Sequence, residues 1–366
     1  MFRLSNLLKA SIENLPQRSL DGTIAIWNFT NRCNLSCLHC YSKAGLEAKD
    51  KLTTEKIFET IPQLKRAGVK FVIFSGGEPL TRHDIFDIAQ KMKEEGIFTY
   101  LSTNGLYIHH SNVARIIDTF GYIGISIDGD EKIHDHFRGL AGSYQMSLKA
   151  IDLIHEHGGK VGIRFTITKE TQEALPHIFE LAETKGIDKI YISHLVYSGR
   201  GLENLKMDLD KEERRSWVEY IIDKAFEYYE SGKDIDIVTG NMEMDAIMLY
   251  RRLLERDPAA AHRLMERLKK WGGNSAGRNL VNIDSEGNVK PDPFFPVVLG
   301  NIFDKDFDEI WLDSKNELLA KLRAHPRSIG GKCETCEWVG ICNGGSRPRA
   351  WAVHGDLWAE DPSCYM

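Results

Sequence analysis

Three cysteines stand close together near the start of the chain, in Cys33-Asn34-Leu35-Ser36-Cys37-Leu38-His39-Cys40, spaced by three and then two residues. Thiolates at that spacing can hold three irons of a cubane cluster and leave the fourth open. An open iron can bind a small molecule, where a fully ligated cluster only passes electrons. The trio could instead hold zinc, with His39 as a fourth ligand, or be reactive thiols. The other four of the seven cysteines are Cys333, Cys336, Cys342 and Cys364, enough to close a cluster or a structural zinc site completely. None lies between the two groups, and such clustering suits metal ligation better than a disulfide framework.

A chain of 366 residues, 42% of them hydrophobic, can bury a sizeable core around such sites. Its net charge of −6 argues against a nucleic-acid partner, which requires a basic field. No apolar run approaches the ~20 residues that span a bilayer, and no signal-peptide core is visible near the N-terminus. A cytoplasmic, reducing location is expected.

The elements that must position the cysteines follow one pattern. Residues 1–16 carry Leu4, Leu7, Leu8 and Ile12 at helical spacing. From Thr23 on, apolar runs predict strands near 24–30, 70–75, 98–102, 121–127, 160–167 and 189–195. Amphipathic helices are expected between them, near 54–67, 83–95, 110–118, 144–157 and 172–185. Alternating strand and helix predicts an α/β fold with a parallel sheet, and about six units make a partial (β/α)6 barrel.

Polar motifs fall at the strand C-termini, the face where such barrels place their chemistry. Cys33 follows the first strand and Ser75-Gly76-Gly77-Glu78-Pro79 ends the second. Ser102-Thr103-Asn104-Gly105 ends the third, and Ser126-Ile127-Asp128-Gly129 the fourth.

A helix over 211–231 and a pair over 242–271, broken at Asp257-Pro258, lead into Trp271-Gly272-Gly273-Asn274-Ser275. The expected organisation is a lead-in over 1–22, the barrel with trailing helices over 23–272, and a small C-terminal domain over 273–366. That last domain opens with a hairpin, Leu280–Ile283 and Asn288–Lys290, turning at Asp284-Ser285-Glu286-Gly287.

The Cys33-Cys37-Cys40 spacing, with Gly76-Gly77-Glu78-Pro79 one strand later, resembles the radical S-adenosylmethionine (SAM) superfamily; His39 occupies the usually aromatic place of its motif. The resemblance implies a four-iron, four-sulfur cluster whose open iron binds SAM. Gly76, Gly77 and Glu78 would hold the SAM amino group. Ser102 and Asn104, or Ser126 and Asp128, would hold the ribose, and Arg164 the carboxylate, with His39 and Tyr41 near the adenine. The tail Cys333-x2-Cys336-x5-Cys342 with Cys364 resembles the SPASM and twitch extensions, implying one auxiliary four-iron cluster. Pro291-Asp292-Pro293 stands where SPASM proteins usually have a further cysteine.

Trp27-Asn28, His39-Cys40-Tyr41-Ser42, Asn288-Val289-Lys290-Pro291-Asp292, Leu299-Gly300-Asn301 and Trp358-Ala359-Glu360-Asp361-Pro362-Ser363-Cys364-Tyr365 resemble the NirJ-type enzymes of haem d1 biosynthesis. The implied substrate is an iron tetrapyrrole, 12,18-didecarboxysirohaem, losing two propionate side chains, with an external electron donor of flavodoxin or ferredoxin type. Cations to meet its carboxylates are sought in Arg138, His134, His194, Arg200, Arg278, Arg347 and Arg349, and an iron ligand in His194 or His354; Arg200, between two glycines, is preferred. Other readings are an alternative haem pathway deacetylase, a peptide-modifying maturase, and a non-catalytic iron-sulfur or zinc protein.

Overall fold

A computed structural model describes residues 1–16 and 22–366. The six expected strands form as β1 (Thr23–Thr30), β2 (Val69–Gly76), β3 (Phe98–Thr103), β4 (Ile123–Ser126), β5 (Val161–Ile167) and β6 (Lys189–His194). They pair in parallel in chain order, for example Ala25 with Val72 and Ile163 with Ile190. Within β4, Ile123 and Ile125 are buried among the helices while Ser126 is half-buried on the opposite face; β3 repeats this with Leu101 and Ser102. This period-two alternation aims the polar strand ends at the inside of the curved sheet.

The sheet runs beyond these six on both edges. A seventh strand, β7 (Asp236–Gly240), lies parallel to β6. On the other side β8 (Leu280–Ile283) lies parallel to β1, pairing Ile24 with Leu280, and forms the expected hairpin with β9 (Asn288–Lys290); β10 (Gly300–Asn301) completes the edge. The hairpin placed beyond residue 272 is therefore continuous with the barrel sheet, and a ten-stranded order β10-β9-β8-β1-β2-β3-β4-β5-β6-β7 results.

The expected N-terminal helix, Leu4–Ile12, packs beside β7, where Phe2 exchanges backbone hydrogen bonds with Thr239. Helices Lys211–Ser231, Asp245–Arg256 and Pro258–Trp271 follow the barrel, the first fixed by a capping box of Asp210 and Glu213. No helix among the described residues is long and apolar enough to cross a membrane.

Candidate active site at the strand C-termini

The cysteine loop leaves β1 at Thr30 and closes on itself where the Cys33 N–H donates to Gly45 O (3.1 Å) and the Gly45 N–H to Asn31 O (3.1 Å). The end of β2 is laid against its entry. The Gly77 N–H donates to Thr30 O (2.8 Å) and the Glu78 N–H to Arg32 O (2.8 Å). A Cβ on Gly76 would fall 2.3 Å from Thr30 O, and one on Gly77 2.2 Å from Arg32 O. Both glycines are thus required by the chain that carries Cys33.

The Glu78 carboxylate lies inside this joint. It accepts from Thr103 Oγ1 (2.8 Å), the Leu80 N–H (3.1 Å) and the Asn104 N–H (2.8 Å). Burial pushes Glu78 up to about 7 against these hydrogen bonds. Expected to hold the SAM amino group, its side chain instead ties the end of β2 to the end of β3. Thr103 was not among the sequence candidates, because strand alternation turns it away from the inner face.

Asn104 donates to Asn34 Oδ1 (2.8 Å) and accepts from the Leu106 N–H (2.9 Å), while Asp128 accepts from the Thr166 N–H (2.8 Å) and pairs with Arg138. Each expected ribose pair is therefore split. Asn104 and Asp128 are committed within the chain, whereas Ser102 and Ser126 have no side-chain hydrogen bond among the described residues. Arg164, in register with Ser126 and Tyr191, stacks its guanidinium over the Tyr191 ring at 4.7 Å and is likewise left without a hydrogen-bond partner there. Gly124 makes room for it, since a Cβ there would approach Arg164 Cδ to 2.9 Å.

His39 and Tyr41 point in different directions. The His39 ring stacks on Phe137 at 4.4 Å with its Nδ1 buried and unpaired among the described residues, and burial, with Arg138 and Arg200 nearby, holds its basicity well below the ordinary value. Tyr41 is held by Asn28 Oδ1 (3.1 Å) and Ser75 Oγ (3.2 Å), with its ring edge-on to Phe294.

The arginines sought at the substrate are engaged within the chain, as are two of the three histidines. Arg200 grips the cysteine loop, donating from Nε to Cys37 O (2.7 Å) and from Nη1 to Ala44 O (3.1 Å). Arg278 caps helix Pro258–Trp271 through Trp271 O and Gly272 O, and Arg347 donates to Leu357 O and Ala359 O. Arg349 pairs with Asp361, and Arg138 with Asp128. His134 accepts from the Asp128 N–H (3.2 Å), and His194 is buried between Arg214 and Asp245. His354 is exposed at the end of its helix. Charge can be read from a residue type, but its partner is chosen by packing; a buried guanidinium left without acceptors would be costly.

Both cysteine groups suit clusters. Burial pushes Cys33 up to about 12, Cys333 to about 11 and Cys342 to about 12, and within each group neighbouring thiolates add to the shift. A cationic cluster would relieve that penalty. The Leu35 N–H already donates to Cys33 Sγ and the Gly344 N–H to Cys342 Sγ, both at 3.4 Å. Among the described residues no three His, Cys, Asp or Glu side chains converge on a single metal ion. Cys364, the fourth thiol expected at the auxiliary site, is close enough to Cys333 and Cys342 to raise both.

Fold and site define a radical SAM enzyme. Residues 27–182 match the radical SAM superfamily and residues 275–337 the SPASM iron-sulfur cluster-binding domain. The chain is 40% identical to a pre-haem d1 synthase of Dinoroseobacter shibae, over 100% of this chain and 92% of the relative. It is 36% identical to an Fe-coproporphyrin III synthase of Methanosarcina barkeri, over 99% and 90%, and 27% identical to a mycofactocin maturase of Mycolicibacterium smegmatis, over 95% and 84%. The fold is shared with Streptococcus suis SuiB bound to S-adenosylmethionine, with a TM-score of 0.74 at 20% identity over 94% of this chain and 78% of that one. This chain belongs to the radical SAM superfamily and carries its SPASM extension; it binds a four-iron cluster with SAM, and the SPASM domain implies auxiliary iron-sulfur ligation.

Proposed function

We propose that this enzyme acts in haem d1 biosynthesis, removing two propionate side chains from 12,18-didecarboxysirohaem. The observation that supports this reading is the similarity to a pre-haem d1 synthase along the whole chain, cysteine loop and C-terminal tail included. Once bound, the reduced cluster and SAM would supply radical hydrogen abstraction from the substrate.

Cys33, Cys37 and Cys40 hold that cluster, and Cys333, Cys336, Cys342 and Cys364 the auxiliary one. Ser102 and Ser126 offer hydroxyls to the SAM ribose, and the Arg164 guanidinium, stacked on Tyr191 but without a hydrogen-bond partner among the described residues, takes the SAM carboxylate. Gly76 and Gly77 contribute backbone groups to the amino end, while Glu78, Asn104 and Asp128 hold those loops still. Tyr41 and His39 frame the adenine from opposite sides of the loop. The low-potential electrons come from a flavodoxin- or ferredoxin-type donor in the cytoplasm.

Anaerobic turnover with didecarboxysirohaem, read by mass spectrometry of the pigment, tests the reading. Loss of two propionate side chains, dependent on SAM and reductant, is expected. Removal of acetate side chains instead would assign the chain to the alternative haem pathway. An unchanged pigment, with SAM still cleaved, would end the tetrapyrrole reading.

A further inference from the structure

Helix Glu131–Arg138 meets the cysteine loop end-on. Asp130 starts it by accepting from the Ile133 N–H (2.9 Å), and Gly139, at φ 73°, ends it. Its last two carbonyls take loop donors: the Ser36 N–H reaches Arg138 O (3.2 Å) and the Leu38 N–H reaches Phe137 O (3.0 Å). Cys37 is thereby fixed between two anchored neighbours. The approach is close at Gly139, where a Cβ would lie 2.4 Å from Ser36 Oγ and 3.2 Å from Ser36 O.

The Arg138 side chain turns back over this junction. Nη1 lies 3.6 Å from Cys37 Sγ, and Nη2 forms the ion pair with Asp128. Asp128 is fully buried and Arg138 only 8% exposed. A buried ion pair is weak evidence of stabilisation, because desolvation offsets most of its attraction. This one is oriented: its positive end faces a cluster thiolate and its negative end the Thr166 N–H on β5. In a medium of low dielectric such a charge acts strongly on its neighbour.

We propose that Arg138 is a positioning residue for the SAM cluster, holding a fixed positive charge against the Cys37 thiolate so that the cluster accepts its electron more readily. This rests on Cys33, Cys37 and Cys40 being the cluster ligands. Asp128 aims the guanidinium, and the end of the helix fixes the distance.

The test compares Arg138→Gln and Arg138→Lys with the parent as anaerobically reconstituted full-length proteins, by iron content and by redox titration followed with electron paramagnetic resonance. The signal that changes on adding SAM identifies the relevant cluster; its presence upholds the ligand assignment independently of the potential. Arg138→Gln is expected to keep its iron and to be reduced roughly tenfold less favourably, about 59 mV more negative for one electron. Arg138→Lys should stay near the parent. An unchanged potential in Arg138→Gln, or an equal shift in Arg138→Lys, overturns the proposal. If Arg138→Gln does not retain iron, Arg138→Lys decides: a cluster at the parental potential supports the role of charge, and a lost or shifted one refutes it.

Discussion

Arg349 and Asp361 form a fully buried two-point ion pair, with Nε donating to Oδ1 at 2.9 Å and Nη2 to Oδ2 at 2.8 Å. The same guanidinium donates to Leu195 O beyond β6 (3.0 Å) and Asn241 O beyond β7 (2.6 Å). One side chain therefore joins the cysteine-rich tail to the barrel. Replacing it with alanine strands a buried carboxylate and two carbonyl oxygens. Arg349→Ala should destabilise the protein by ~3–5 kcal/mol, read from denaturant midpoints; a change under ~1 kcal/mol would contradict this account.

Gly77 lies against Arg32 O, one residue before Cys33. Gly77→Ala should leave the barrel folded by circular dichroism while displacing the loop. Iron should fall toward ~4 per chain, the content of one cluster, with SAM cleavage lost in proportion. Full iron with parental cleavage would show that the close approach is dispensable.

The two cysteine groups should be separable. Cys37→Ala should abolish dithionite-dependent release of 5′-deoxyadenosine, whereas Cys336→Ala should retain it and lose substrate conversion. Equal loss of release in both variants would refute separate roles.

Arg200 donates to the carbonyls of Cys37 and Ala44, and Gly199 approaches Cys40 O so closely that a Cβ would lie 2.4 Å away. Arg200→Ala should therefore lower cluster retention several-fold on dilution into chelator. An effect confined to KM for the pigment, with iron unaffected, would return Arg200 to the substrate.

Asp292, buried and accepting from the Phe294 N–H (2.8 Å), is pushed up to about 7, chiefly by burial. A carboxyl whose folded pKa is raised favours the folded state fully below the ordinary carboxylate range, and that contribution is lost as pH rises through about 7. Thermal midpoints should fall between about pH 4 and 7, and Asp292→Asn should flatten the slope. An identical slope in the variant would mean that Asp292 does not titrate there.

The six strands from Thr23 to His194 were legible because apolar runs bounded by turn residues record strand burial locally. β7 was not, since its approach through Lys233-Asp234-Ile235-Asp236 alternates charge with a single apolar residue. β8 was legible as half of a hairpin but not as a neighbour of β1. Nothing in Leu280–Ile283 specifies Ile24–Trp27 as its partner, because that pairing is chosen by closing a long loop and covering an edge.

Cysteine spacing and the glycine-rich strand ends, both local features, carried the chemistry and the family. By itself, the sequence determined which groups could ligate a cluster and at which end of the sheet they stand. Only the tertiary structure decided which polar side chains are committed to the chain itself. It divides Ser102 and Ser126 from Asn104 and Asp128, and turns Arg200 and Arg138 from the substrate toward the cysteine loop. The physical reason is that a buried polar group must find partners, and those partners lie on other strands whose approach no local pattern encodes.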